Sequence, residues 1–185
     1  MRLILLTVAV ALTIGLLAGG SLREFPTVKT RWWWLALVGV AMQFVIVGGG
    51  LETTLLLGSF LVLVVFVAAN LRAPGFPLVL VGLLLNAAVI TANQGMPVTR
   101  HALEASGQAG TLAELVTNGD GQKHLLADDD TPLLALGDVI ALGAPIRQAI
   151  SIGDILVHLG IGWFIVMAMR RRDPSPSLTP GTAEA

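Results

Sequence analysis

Long runs without charge dominate the chain. Residues 3–22, 32–51, 53–71 and 73–99 contain no Asp, Glu, Lys or Arg, and another apolar run follows Ser151. Crossing a hydrocarbon core about 30 Å thick takes roughly 20 apolar residues, each rising 1.5 Å. Five spans are therefore expected, at 3–20, 32–48, 54–71, 77–94 and 151–169. The connection at 49–53 is short and Gly-rich, and the one at 72–76 contains Arg72, Pro74 and Gly75, so consecutive spans should be antiparallel neighbours. On this reading the first four spans form two hairpins. The expected fold class is all-α: a polytopic membrane bundle of about five transmembrane helices over 1–170, capped by an extracytoplasmic lid at 95–150. The tail at 171–185, with three Pro and almost no large apolar residues, is too polar to offset the entropy of ordering and should be disordered.

Composition agrees with that class. Hydrophobic residues make up 55% and charged residues 12%, where soluble domains carry about 25% charge. A net charge of -1 without a basic face leaves nucleic acid nothing to bind, because that affinity comes from neutralising phosphates. The absence of Cys excludes thiol catalysis, disulfides and thiolate metal sites. Lys and Arg in short connections set orientation. An odd number of spans gathers Arg23, Lys29, Arg31, Arg72, Arg170, Arg171 and Arg172 on one side and leaves Arg2, Arg100, Lys123 and Arg147 on the other. The first side should be cytoplasmic, with the amino terminus outside, the carboxyl terminus inside and the segment 94–150 outside. Arg2, the apolar run and the small residues at 18–21 also resemble a cleavable signal peptide. Cleavage would reverse the charge bias, so the uncleaved chain is the reading taken here. Trp32, Trp33 and Trp34 follow Arg31, as amphipathic rings at the cytoplasmic interface would.

Residues 37–43 (LVGVAMQ) align with 80–86 (LVGLLLN) at a constant offset that also pairs Lys29 with Arg72. The match is either a repeat of spans one and two as spans three and four, or coincidence among common span residues. In the first case Gln43 and Asn86 would face each other near the bilayer centre. In both cases they should face protein, since an unpaired amide in hydrocarbon costs several kcal/mol.

Candidate chemistry gathers toward the outer side. Asn86 and Asn93 are seven apart and share a helical face. Ser151, Asp154 and His158 share another. Asp154 is the one charge inside an expected span, which makes it a functional candidate. Equally, SIGD at 151–154 reads as a capping box, which accounts for the acid structurally. His158, one turn deeper, can then hydrogen-bond Asp154. In the lid, residues 102–116 can form a helix interrupted by Gly107 and Gly110, burying Leu103, Leu112, Leu115 and Val116. A turn is expected at 118–121, and the apolar runs at 124–127 and 133–136 should lie on the bundle. Asp128, Asp129 and Asp130 suggest Ca²⁺, but an EF-hand loop counted from Asn118 would place Lys123 where Gly is required, so a solvated acidic turn is expected. His101, His124 and His158 lack zinc spacing. No phosphate loop or nucleophile elbow occurs. No cofactor and no metal is expected.

Three blocks carry a resemblance: LLLNAAVITANQGMPV at 83–98, LADDDTPLLALGDVI at 126–140 and SIGDILVHLG at 151–160. Together they resemble an uncharacterised bacterial family of small multi-spanning membrane proteins. The resemblance implies the membrane fold, assigns no catalytic residue, and directs attention to Asn86, Asn93, Met96, Pro97, Asp138 and residues 151–154. A second similarity, to lipoprotein signal peptidases, implies a pair of Asp near the outer surface, for which Asp138 and Asp154 could stand. That family's Asn-x-x-Asp-Arg block meets Ala135 and Val139 here, and its four spans meet five. The expected function is a non-catalytic accessory subunit or binding component holding an apolar ligand or partner helix. The lipid bilayer, and a larger membrane complex or apolar small molecule, are its expected partners. Gln43, Asn86, Asn93, Asp138, Asp154 and His158 are its candidate binding residues. The alternatives are an aspartyl hydrolase using Asp138 and Asp154, and a small-solute carrier using Asn86, Gln43, Asp154 and His158.

Overall fold

The computed structural model describes residues 2–23, 29–44, 51–118, 123–128 and 130–170. The turn at 119–121, Asp129, Arg171, Arg172, residues 49–50 of the Gly-rich connection and the tail lie outside these residues. The described chain is mostly helical. Five apolar helices overlap the expected spans, three of them starting one to three residues early: α1 (Arg2–Leu17), α2 (Trp33–Gln43), α3 (Leu51–Ala68), α4 (Phe76–Asn93) and α7 (Ile152–Met169). By length and composition α4 and α7 are long and apolar enough to cross a membrane. The other three, α1, α2 and the Thr53–Ala68 stretch of α3, are apolar but shorter.

These helices form a row in the order α2, α3, α4, α7, α1. The expectation of two hairpins is corrected here, because α1 packs on α7 rather than α2. The cause is steric: Gly15 and Gly20 of the first segment leave room for Met169, and Ser21 N–H donates to the Met169 carbonyl at 2.8 Å. Ala11, Ile165 and Met169 are buried at that contact. In the centre, Leu56, Phe60, Phe76, Val79, Leu83 and Val89 form the main core, with Phe76 between Phe66 and Phe164 at ring separations of 5.6 and 5.0 Å.

Glycines set the spacing of α4 and α7. Gly82 meets Gly153, and Gly75 meets Gly160, backbone against backbone, as two antiparallel helices with matched seven-residue glycine spacing must. A Cβ at any of the four would collide with the facing helix. Gly39, aligned with Gly82 by the internal offset, similarly admits Leu63 of α3.

Opposite ends of the row differ in charge. The bond from Ser21 to Met169, and the paired bonds between the Arg31 backbone and the Asn70 amide at 2.7 and 2.9 Å, bring Arg23, Lys29, Arg31, Arg72 and Arg170 to one end. Trp32, Trp33 and Trp34 are exposed there, with the Arg31 guanidinium 5.3 Å from the Trp32 ring. The lid closes the other end.

The lid is α+β, which corrects the all-α expectation in this region. Strand β1 (Met96–Val98) pairs in parallel with β2 (His124–Leu126), and helices α5 (Arg100–Ser106) and α6 (Ala109–Asn118) supply the crossover. A hairpin of β3 (Ile140–Leu142) and β4 (Gln148–Ile150) leads into α7. Each strand has three residues, and β1 is buried throughout. No alternation of polar and apolar positions could reveal them. The helical break falls at Gly107, in the left-handed region, and Gly110 continues inside α6. Leu103 is buried and Leu112 and Leu115 pack beside it, but Val116 faces outward. The acidic turn is built as expected: exposed Asp128 accepts from Asp130 N–H at 3.1 Å and from the Thr131 hydroxyl at 2.7 Å.

Candidate functional site

Where α7 begins beneath the lid, a closed polar ring forms. Ser151 caps the helix: its Oγ accepts the Asp154 N–H at 2.9 Å, and Asp154 Oδ2 accepts the Ser151 N–H at 3.3 Å. Asn86 completes the ring across the interface. Its Nδ2 donates to Asp154 Oδ1 at 2.7 Å, and its Oδ1 accepts the Ser151 hydroxyl at 2.9 Å. Asn86 and Ser151 are buried, and Gly153 lets the amide approach. Both Asp154 oxygens are thus engaged.

His158 bonds to Asp154, but through the backbone carbonyl, 2.7 Å from Nδ1. A carbonyl only accepts, so Nδ1 carries the proton and Nε2 is left for other partners. The expected pairing of Gln43 with Asn86 is corrected. Gln43 ends α2 on the lid side, its carbonyl accepts from Lys123 Nζ, and Asn86 is instead bonded to α7. Asn93 leaves the site too: its amide donates to Val89 at 2.8 Å and to Pro132 of the lid at 2.9 Å, tethering the end of α4.

Asp138 sits deeper in the lid, at 5% exposure. Its N–H donates to Pro97 at 2.8 Å, which draws residue 138 alongside β1, and Gly137 allows this because a Cβ would strike the Pro97 carbonyl. Oδ2 lies 3.5 Å from His124 Nε2, whereas buried Oδ1 has no hydrogen-bond partner. Burial pushes the carboxyl above its ordinary range and the Asp154 carboxylate adds to this, while His124 opposes both.

Two cavities meet at these residues. A cleft of about 790 Å³ runs among all five apolar helices, lined by aromatic and aliphatic side chains together with Gln43, Asn86, Asp154 and His158. A second chamber of about 450 Å³ lies under the lid and contains Arg2, Gln108, His124, Asp138 and Arg147. Asp154 and Gln148 line both. The sequence reading therefore found four residues of one wall, and it found the two Asp that share a chamber. It missed Arg2, Gln108 and Arg147, whose positions depend on the lid's fold.

A model described as a family of unknown function, DUF5317, matches residues 27–166, from before α2 to near the end of α7. The chain belongs to the DUF5317 family. Its uncharacterised status agrees with the resemblance read from residues 83–160. Neither the curated proteins nor the solved structures yield a match. The site of this DUF5317 protein must therefore be interpreted from its own geometry.

Proposed function

We propose that this DUF5317 protein is an integral membrane protein in which α1, α2, α3, α4 and α7 all cross the bilayer. In this reading it is a non-catalytic component that binds an amphipathic ligand. The observation that carries the reading is that Asp154 and Gln148 line both an apolar cleft among the helices and a polar chamber under the lid. One compartment suits chains and the other a headgroup.

Support for the membrane comes from the outward surface. Leu5, Leu37, Leu61, Leu84 and Trp163, one from each apolar helix, are 66, 61, 65, 50 and 53% exposed. An apolar belt on this scale is stable against lipid and poorly suited to water. The basic end, with five Lys and Arg and three Trp, fits the cytoplasmic face, which puts the lid outside. The hydrolase reading is less well supported, because Asp154 already accepts one hydrogen bond at each oxygen, from Asn86 and from Ser151, which makes it a weaker base toward water.

Mass spectrometry of the gently solubilised protein tests the proposal. A retained lipid-like molecule is expected, and Ala36→Trp, which projects into the cleft from α2, should displace it. A protein that emerges free of apolar ligands, with or without that substitution, would reject the reading.

A further inference from the structure

The chamber under the lid is rich in donors. Arg2 at the start of α1 and Arg147 in the β3–β4 turn both line it, and among the described residues neither guanidinium pairs with a carboxylate. Gln108 is oriented by its acceptor end: Oε1 takes the Ala149 N–H at 2.8 Å and the Ser106 hydroxyl at 3.0 Å. Its Nε2 is therefore left to donate. Asp138 adds an unusual feature. Its Oδ1 is buried with no hydrogen-bond partner, which is costly for a carboxyl oxygen.

The acids of the chamber do not cancel this character. Asp154 is satisfied by Asn86 and by the Ser151 N–H. Burial favours the neutral form of Asp138, which takes negative charge out of the chamber wall. Two exposed arginines and the Gln108 amide thus line a space whose acids are already bonded or buried. Arg recognises phosphate in this way, through forked donors matched to its oxygens.

We propose that the chamber binds a phosphate-bearing headgroup between Arg2 and Arg147, with Gln108 donating to a remaining oxygen. The inference rests on the reading of the cleft as a binding site for the ligand's chains, and it adds the identity of the head. Asp154 and Gln148 line the spaces for both parts.

The full chain in detergent is equilibrated with dipalmitoyl phosphatidic acid, dipalmitoyl glycerol or inorganic phosphate, and retention is measured by native mass spectrometry. Phosphatidic acid should be retained about tenfold or more over the diacylglycerol, as a charge-assisted contact allows. The double variant Arg2→Gln with Arg147→Gln should bring that ratio near one while still retaining diacylglycerol, which reports an intact cleft. Arg72→Gln, at the far end, should leave the ratio unchanged. Equal retention of the two lipids by the native protein overturns the headgroup assignment and leaves the cleft reading standing. Retention of neither overturns both. An equal fall in the ratio with Arg72→Gln reduces the effect to bulk charge and overturns the assignment. If millimolar inorganic phosphate binds without any lipid being retained, the site serves a free oxyanion and the lipid assignment also fails.

Discussion

Asn86 illustrates how a polar residue in an apolar helix is made stable. Its amide satisfies an acid and a hydroxyl on the neighbouring helix, so removing it strands both. Asn86→Leu should destabilise the protein by about 3 kcal/mol, because Asp154 Oδ1 and the buried Ser151 hydroxyl each lose a partner. Ser151→Ala, which removes the helix cap, should cost about 1–2 kcal/mol. Unfolding midpoints in detergent will rank the two. Asp138 makes the opposite kind of prediction. Its folded pKa is raised above the ordinary 3.8, so the folded state holds the proton more tightly than the unfolded chain. This contribution to stability is whole below that value and drains away as pH climbs toward the folded pKa. Asp138→Asn should therefore match the native protein near pH 4, exceed it near pH 7, and flatten the profile of unfolding midpoint against pH. The capping box was legible because its partners are three residues apart. The Asn86 bond was not, since it joins positions 86 and 154 through a helix pairing that no local pattern encodes.

Between elements, the contact that matters most is α4 against α7. If these helices lie in lipid, as proposed, apolar burial gives little advantage to one apolar partner over another, and close packing at small residues holds them together. Gly82→Leu should drive the pair apart and cost about 3 kcal/mol or more, with loss of folded protein in detergent as the readout. Gly110 supplies the control, since nothing lies within 4 Å of a Cβ there. Gly110→Ala should stabilise α6 by about 0.5 kcal/mol. The spacing that builds this interface, Gly75 to Gly82 and Gly153 to Gly160, is present in the sequence and is readable as a motif once the two helices are known to face each other. Four of the apolar helices were visible from charge-free runs, and α7 from an apolar run that contains one acid, Asp154. The strands of the lid were not, because three buried residues such as 96–98 have no period, and their partners come from segments far along the chain.

For the molecule as a whole, alternating helix directions place Arg2 beside the lid and Arg170 at the far end. If all five helices cross the bilayer, as proposed, reporters fused to the two ends should respond from opposite compartments. Signal from one compartment alone would reject an odd number of crossings. The order of the row escaped the sequence reading, which assumed that neighbours along the chain are neighbours in space. The small residues of the first segment favour Met169 instead. That arrangement has a further consequence. Because α1 and α2 stand at opposite ends of the row and lean mainly on α7 and α3, while both line the cleft, the side of the cleft between them is the one least sealed by helix packing. A guest with long tails would then enter laterally, parting one seam, and its head need never pass through the oily middle of the bundle.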